Sequence, residues 1–184
     1  ILNKQADILR QNEVGITFSG GEPLLQAEFV ENVIDLLDHQ HVVIDTSGYA
    51  PENDFNRVVG QSDLILIALK IIDPDLHFEF TGVDNEIILK NLKSMSQMHI
   101  PFIIRLPLIP GVTDTESNFE GIIRTSKNLP GLQYVEVLPY NKTAGAKYHS
   151  VGLTYNPRFD ESCPVNTNTH LFTQAGIKVD RGRL

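Results

Sequence analysis

Apolar positions along this chain follow two alternating periods. Short β-branched runs occur at Val14–Phe18, Val42–Asp45, Leu64–Lys70, Phe102–Leu106 and Tyr134–Leu138, with a weaker one at Ile177–Asp180. They are almost continuously apolar, the pattern of strands buried on both faces of a parallel sheet. Between them the spacing becomes helical. Leu25, Phe29, Val33, Leu36 and Leu37 recur at helical intervals within Leu24–Gln40, and Ile88, Leu92 and Met95 do so within Asn85–Met98. From Thr113 to Lys127 the stripe is Phe119, Ile122 and Ile123, and Thr113 with Glu116 has the spacing of a capping box. Ala175-Gly176 predicts a helix stop before the last run. Alternating strands and helices define an α/β fold. A complete eight-unit barrel takes about 250 residues. This chain holds five or six units, so a partial (β/α) barrel of parallel strands, or an open sheet, is expected.

The chain has 184 residues, of which 41% are hydrophobic and 21% charged, enough for one domain with a real core. No low-complexity tract or linker interrupts it, so a single domain over 1–184 is expected. The net charge of -8 argues against an electrostatic grip on nucleic acid or an anionic membrane. No apolar run approaches the roughly 20 residues of a membrane span. Cys163 is the single cysteine. It excludes an internal disulfide, cannot hold an iron–sulfur cluster alone, and fits a cytoplasmic location. The first residue is Ile1, not Met, and no signal-peptide pattern follows, so the chain reads as a fragment incomplete at its N-terminus.

Active sites of parallel α/β folds lie beyond the carboxyl ends of the strands. Those ends carry Ser19-Gly20-Gly21-Glu22-Pro23, then Asp45-Thr46-Ser47-Gly48, then Lys70, then Arg105 with Pro107 and Pro110-Gly111, then Pro139-Tyr140-Asn141. Each has a structural reading beside a functional one. Gly20-Gly21 makes either a tight turn or a stretch of bare backbone that a ligand can approach. Glu22 is either an acid at a helix start or the receiver of an ammonium group. Asp45 and Thr46 suit turn caps. Lys70 follows six apolar residues and precedes Ile71-Ile72, so its stem is expected to be buried and its ammonium paired. Arg105 lies in an equally apolar run and needs a counter-charge. Four coincident strand-end signals favour a site over four separate accidents. Elsewhere, the histidines at 39, 41, 77, 99, 149 and 170 show no metal-ligand spacing, Cys163 before Pro164 is not marked as a nucleophile, and Gly111-Val112-Thr113-Asp114 reads as a helix entry.

The segment from Gly15 to Gln26, Gly-Ile-Thr-Phe-Ser-Gly-Gly-Glu-Pro-Leu-Leu-Gln, resembles the Gly-Gly-Glu segment of radical S-adenosylmethionine (SAM) enzymes, those that activate glycyl radical enzymes of the pyruvate formate-lyase type. Asp45-Thr46-Ser47-Gly48, Leu69-Lys70, Arg105 with Pro110-Gly111, and Leu138-Pro139-Tyr140 recur in the matching order. The resemblance covers about Val14 to Tyr140 and, more loosely, the rest. It implies a partial barrel of the radical SAM type with its N-terminal unit missing. It also implies SAM and a 4Fe-4S cluster whose unique iron is chelated by the methionine end. Reductive cleavage would give a 5′-deoxyadenosyl radical that takes hydrogen from a glycine of a partner glycyl radical enzyme. An electron donor such as flavodoxin or ferredoxin would be a second partner. By resemblance, Gly20, Gly21 and Glu22 hold the methionine end. Lys70 and Asp45, with Thr46 beside them, lie near the carboxylate and ribose, and Arg105, Leu138 and Asn141 lie along the nucleoside.

Three departures stand out. The Cys-x-x-x-Cys-x-x-Cys motif is not in the chain and is expected upstream of Ile1, so the chain alone should not hold a cluster or cleave SAM. Ala68-Leu69-Lys70 stands where the family often has Asp-Leu-Lys, which puts a monovalent-cation site in doubt. Asn141 replaces a common histidine. Two alternatives remain beside the family reading. One is an aldolase-like barrel with a Schiff base on Lys70. The other is a cluster-free paralogue that binds a nucleoside or a protein.

Overall fold

When parallel strands follow one another in chain order, right-handed crossovers put every connecting helix on the same side of the sheet. The computed structural model, which describes residues 14–37, 40–140, 148 and 150–181, has this arrangement. Six parallel strands pair in the order of the sequence. They are β1 (Ile16–Phe18), β2 (Val42–Thr46), β3 (Leu64–Ala68), β4 (Phe102–Leu108), β5 (Leu132–Pro139) and β6 (Val179–Asp180). β1 and β6 are not paired with each other, so the sheet is an open, partial barrel. All six expected runs form strands, with shifted ends.

The strands are not buried on both faces. Val42, Ile44 and Thr46 of β2, Ile65 and Ile67 of β3, Ile104 and Leu106 of β4, and Val135 and Val137 of β5 lie in the core. Their alternate neighbours, among them Val43, Asp45, Leu66, Ala68, Arg105, Glu136 and Leu138, are half-buried. A closed barrel would fill that second face with side chains from opposite strands; an open one leaves it accessible, and it can carry charge.

The helices are α1 (Ala27–Asp35, entered through a 3-10 turn at Pro23–Gln26), α2 (Glu52–Val59), α3 (Pro74–Thr81), α4 (Glu86–Gln97), α5 (Glu116–Ser126) and α6 (His170–Gln174). α4 buries Ile88, Leu92 and Met95 as its spacing predicts. α6 ends before Gly176, whose φ of 83° is the left-handed stop. Three expectations are corrected. α1 buries Ala27 and Val30 and packs Ile34 behind them, with Leu24 buried in the turn before it; of the expected stripe, Leu25 is 76% and Phe29 61% exposed. Both stripes are apolar at helical spacing, and only the sheet decides which faces inward. The cap of α5 is Thr115, which accepts from the Asn118 N–H at 3.3 Å; the Thr113 hydroxyl instead donates to the Pro107 carbonyl. β3 ends at Ala68, not at Lys70.

Buried asparagines fix the loops at the carboxyl ends of the strands. Asn91 Nδ2 donates to the Gly48 and Ala50 carbonyls after β2, each at 2.9 Å. Asn85 Nδ2 donates to Ile71 and Ile72 after β3. Asn118 Nδ2 donates to the Lys70 and Thr113 carbonyls, and its Oδ1 accepts from the Ile72 N–H at 2.9 Å. Each replaces hydrogen bonds that loop backbone would otherwise lack.

Candidate functional site

Gly20 and Gly21 follow β1 after Ser19. Gly20 has φ of 128°, and a Cβ built on either glycine meets no atom within 4 Å. Their backbone is therefore bare on the side where side chains would stand. The next residue, Glu22, is fully engaged by the protein. Its Oε1 accepts from the Thr46 hydroxyl at 2.6 Å and the Leu24 N–H at 3.2 Å. Its Oε2 accepts from the Ser47 N–H at 2.8 Å and the Ser47 hydroxyl at 2.5 Å. Thr46, buried on the helix side, also accepts from the Gly48 N–H at 2.9 Å. Glu22 and Thr46 thus pin the end of β1 to the end of β2, and their polar atoms are used up in doing so.

On the opposite, open face lies a row of charges. Arg105 of β4 donates from Nη1 to Asp45 Oδ2 of β2 at 2.8 Å and from Nε to Glu136 Oε2 of β5 at 2.7 Å. Ser19, just past β1, donates to the same Asp45 oxygen at 3.0 Å. The row therefore runs from β1 to β5. To reach Asp45, Arg105 must cross β3, a distance of two strand spacings or about 10 Å. The register partner of Arg105 on β3 is Ala68, whose methyl group leaves that path open. Partial burial works against the charge of Arg105, but its bond to Glu136 and the charge of Asp45 outweigh this and hold it above its ordinary pKa. Glu136 is a member that sequence reasoning missed. The signal was there: an acid inside the apolar run Tyr134–Leu138, at the register position of Arg105.

Lys70 contradicts its expected burial. It is exposed, two residues past the end of β3, and among the described residues its ammonium meets no carboxylate. Asp45, its expected partner, is taken by Arg105. Strand alternation explains the error: Leu69 points into the core, so Lys70 points out of it. Lys70 borders a cavity of about 800 Å³ beside α3 and the segment from Tyr155 to Phe159. That segment is tied to β5 by Tyr140 and Tyr155, whose hydroxyls are 2.6 Å apart and share Glu161, and to α3 by Arg158, which donates to the Glu79 carbonyl at 2.7 Å. Leu138 is half-buried on the open face, opposite Pro107. Asn141, like His39 and His149, lies outside the described residues.

Of the other candidates, His77 is buried, with Nδ1 2.7 Å from the Val83 carbonyl, and Cys163 is exposed. Asp114 is buried and accepts from the Gly111 and Asn166 N–H groups, so the Gly111–Asp114 segment is a turn ahead of α5. Among the described residues no three His, Cys, Asp or Glu side chains gather as a metal site, and no helix is long and apolar enough to cross a membrane.

The model of the radical SAM superfamily matches residues 1–124. The trans-4-hydroxy-L-proline dehydratase activating enzyme of Clostridioides difficile is 40% identical over 146 residues, 77% of this chain and 48% of that protein. The pyruvate formate-lyase-activating enzyme of Clostridium pasteurianum is 34% identical, over 78% of this chain and 61% of that protein. The chain thus spans about half the length of the curated relatives it matches. A crystal structure of a domain of pyruvate-formate lyase-activating enzyme from Bacteroides vulgatus superposes with a TM-score of 0.73 at 31% identity, covering 91% of this chain and 98% of that one.

Proposed function

The chain belongs to the radical SAM superfamily, and from that premise we propose that it is the core domain of a glycyl-radical-enzyme activating enzyme of the pyruvate formate-lyase type. Superfamily membership implies SAM and a 4Fe-4S cluster. The residues present fit the first. The bare backbone at Gly20-Gly21 admits the methionine end, Lys70 is free to meet its carboxylate, and Arg105 and Leu138 line the face that would take the nucleoside. When bound, SAM supplies the hydrogen-abstracting chemistry. Glu22 and Thr46 act indirectly, by holding the glycine turn in shape. The residues do not fit the cluster, since the chain has one cysteine. A glycyl radical enzyme would be the protein substrate, a low-potential flavodoxin or ferredoxin the electron donor, and the cytoplasm the place.

The observation that carries the reading is the pairing of an open Gly20-Gly21 turn with a Glu22 carboxylate that has four donors. A plain turn needs no such staple. The Schiff-base alternative loses its main support, because Lys70 is exposed rather than sealed in an apolar pocket. The test uses the protein expressed from its full reading frame, with a reconstituted cluster, SAM, a reductant and a candidate glycyl radical enzyme. A glycyl radical doublet in the electron paramagnetic resonance spectrum, with 5′-deoxyadenosine formed in step, is the expected result. No SAM binding by the reconstituted protein would overturn the reading.

A further inference from the structure

The charged row on the open face has an unequal count. Two carboxylates, Asp45 and Glu136, face one guanidinium. Within the strands the neighbours on that face, Val43, Leu66, Ala68, Ile103, Tyr134 and Leu138, carry no charge; Lys70, two residues past β3, is the cation that the proposed function gives to the ligand's own carboxylate. Among the described residues the row is thus net negative, and solvent reaches it: the side chains of Arg105, Asp45 and Glu136 are 27%, 24% and 25% exposed. A row that served stability alone would need neither a surplus carboxylate nor access to solvent. This one has both, and it lies on the same face as Leu138, which the proposed function gives to the nucleoside.

We propose that the Ser19–Asp45–Arg105–Glu136 row is an electrostatic selector for a cationic nucleoside ligand, and that Glu136 is its specificity-determining residue. The proposal rests on the reading of the site as one for SAM. SAM carries a sulfonium; its neutral thioether counterpart, S-adenosylhomocysteine, keeps the same adenosine and the same amino-acid head. A net negative face favours the first over the second by Coulomb attraction alone. Arg105 keeps Asp45 and Glu136 in place against their mutual repulsion, and Ala68 lets it do so across β3. Because the row is partly solvated, the selection is a matter of several-fold, not orders of magnitude.

The test compares dissociation constants for SAM and S-adenosylhomocysteine by calorimetry on the anaerobic protein expressed from its full reading frame. The ratio is the readout, since a change in shape alone affects both ligands together. Glu136→Gln should lower the preference for SAM by roughly 3- to 10-fold, the effect of one charge removed at close range in a partly solvated site. Glu120→Gln removes the same charge on the exposed side of α5 and should leave the ratio unchanged. Should Glu136→Gln not fold, the wild-type ratio is measured against salt, and it must fall as ionic strength rises. An unchanged ratio in folded Glu136→Gln, or a wild-type ratio indifferent to salt, would sink the selector while leaving the SAM site intact. If neither nucleoside binds the wild type, the functional reading falls, and the selector with it.

Discussion

Replacing Arg105 with Met leaves Asp45 and Glu136 on one face with no cation between them. Fully buried ion pairs cost about 3–5 kcal/mol when one partner is removed, because the other is left stranded. Fully exposed pairs are worth about 0.2–1 kcal/mol. All three side chains here are about one-quarter exposed, and two bonds are lost at once. The expected loss lies between those limits, at about 2 kcal/mol. For a chain of this length that lowers the melting temperature by roughly 4–8 °C. Thermal and urea unfolding followed by circular dichroism would measure it. Salt supplies the internal check: at about 1 M the screening length falls to about 3 Å, and much of the Asp45–Glu136 repulsion in the variant should vanish. Arg105→Lys should recover little, since one ammonium cannot serve Asp45 and Glu136 on opposite sides. A loss under about 0.5 kcal/mol, or a lysine variant as stable as the wild type, would refute the account of the row as held together by a forked guanidinium.

Lys70→Ala should leave urea stability within about 0.5 kcal/mol of wild type, as for an exposed side chain with no ion pair among the described residues, while weakening SAM binding in calorimetry. Asn118→Ala should cost about 2–4 kcal/mol in the same melts, because it orphans the Ile72 N–H and the Lys70 and Thr113 carbonyls. Gly131→Ala should be as damaging, since Gly131 has φ of 91° and a Cβ there would overlap the Ile100 carbonyl oxygen. Burial, and then the bonds to Glu161 and Tyr155, push the Tyr140 phenol above its ordinary pKa. Its contribution is therefore complete below about pH 10, where an unfolded tyrosine ionises, and is lost as pH rises beyond that. The melting temperature should fall more steeply between pH 9 and pH 11 in the wild type than in Tyr140→Phe.

The strands were legible because β-branched runs of the right length have few other uses, and their order followed from the alternation with helices. Faces and pairings were not. α1 has apolar residues on two stripes one position apart, Leu24-Ala27-Val30 and Leu25-Phe29-Leu36, and periodicity alone cannot rank them. Lys70 looked buried because Leu64–Leu69 is unbroken, yet a strand alternates faces whether or not its composition does. α2 and α3 are eight residues each, too short for a periodic signal, although Asp73-Pro74 marks the start of α3 as an N-cap followed by proline. Glu136 and Asp45 lie 31 and 60 residues from Arg105 in sequence, so their meeting required the register of four strands.

The departure at Ala68 is where sequence and structure inform each other most. On sequence alone it was a missing carboxylate. In the sheet, position 68 is the register partner of Arg105 on the strand that its side chain crosses to reach Asp45, whose own partner there is Leu66, and a small residue at 68 leaves room for the crossing. An acid at 68 would also sit closer to Arg105 than Asp45 does, and would compete for it. Ala68 and the long-range pair are therefore one feature, since the small residue is what lets β2 and β4 exchange charge across β3. The same logic separates the two acids that follow β1 and end β2. Glu22, saturated by backbone and hydroxyl donors, gives shape to the glycine turn. Asp45, left half-open on the accessible face, gives that face its sign. Neighbouring carboxylates of similar appearance in the sequence thus do different work, and which does which is decided by the side of the sheet each one faces.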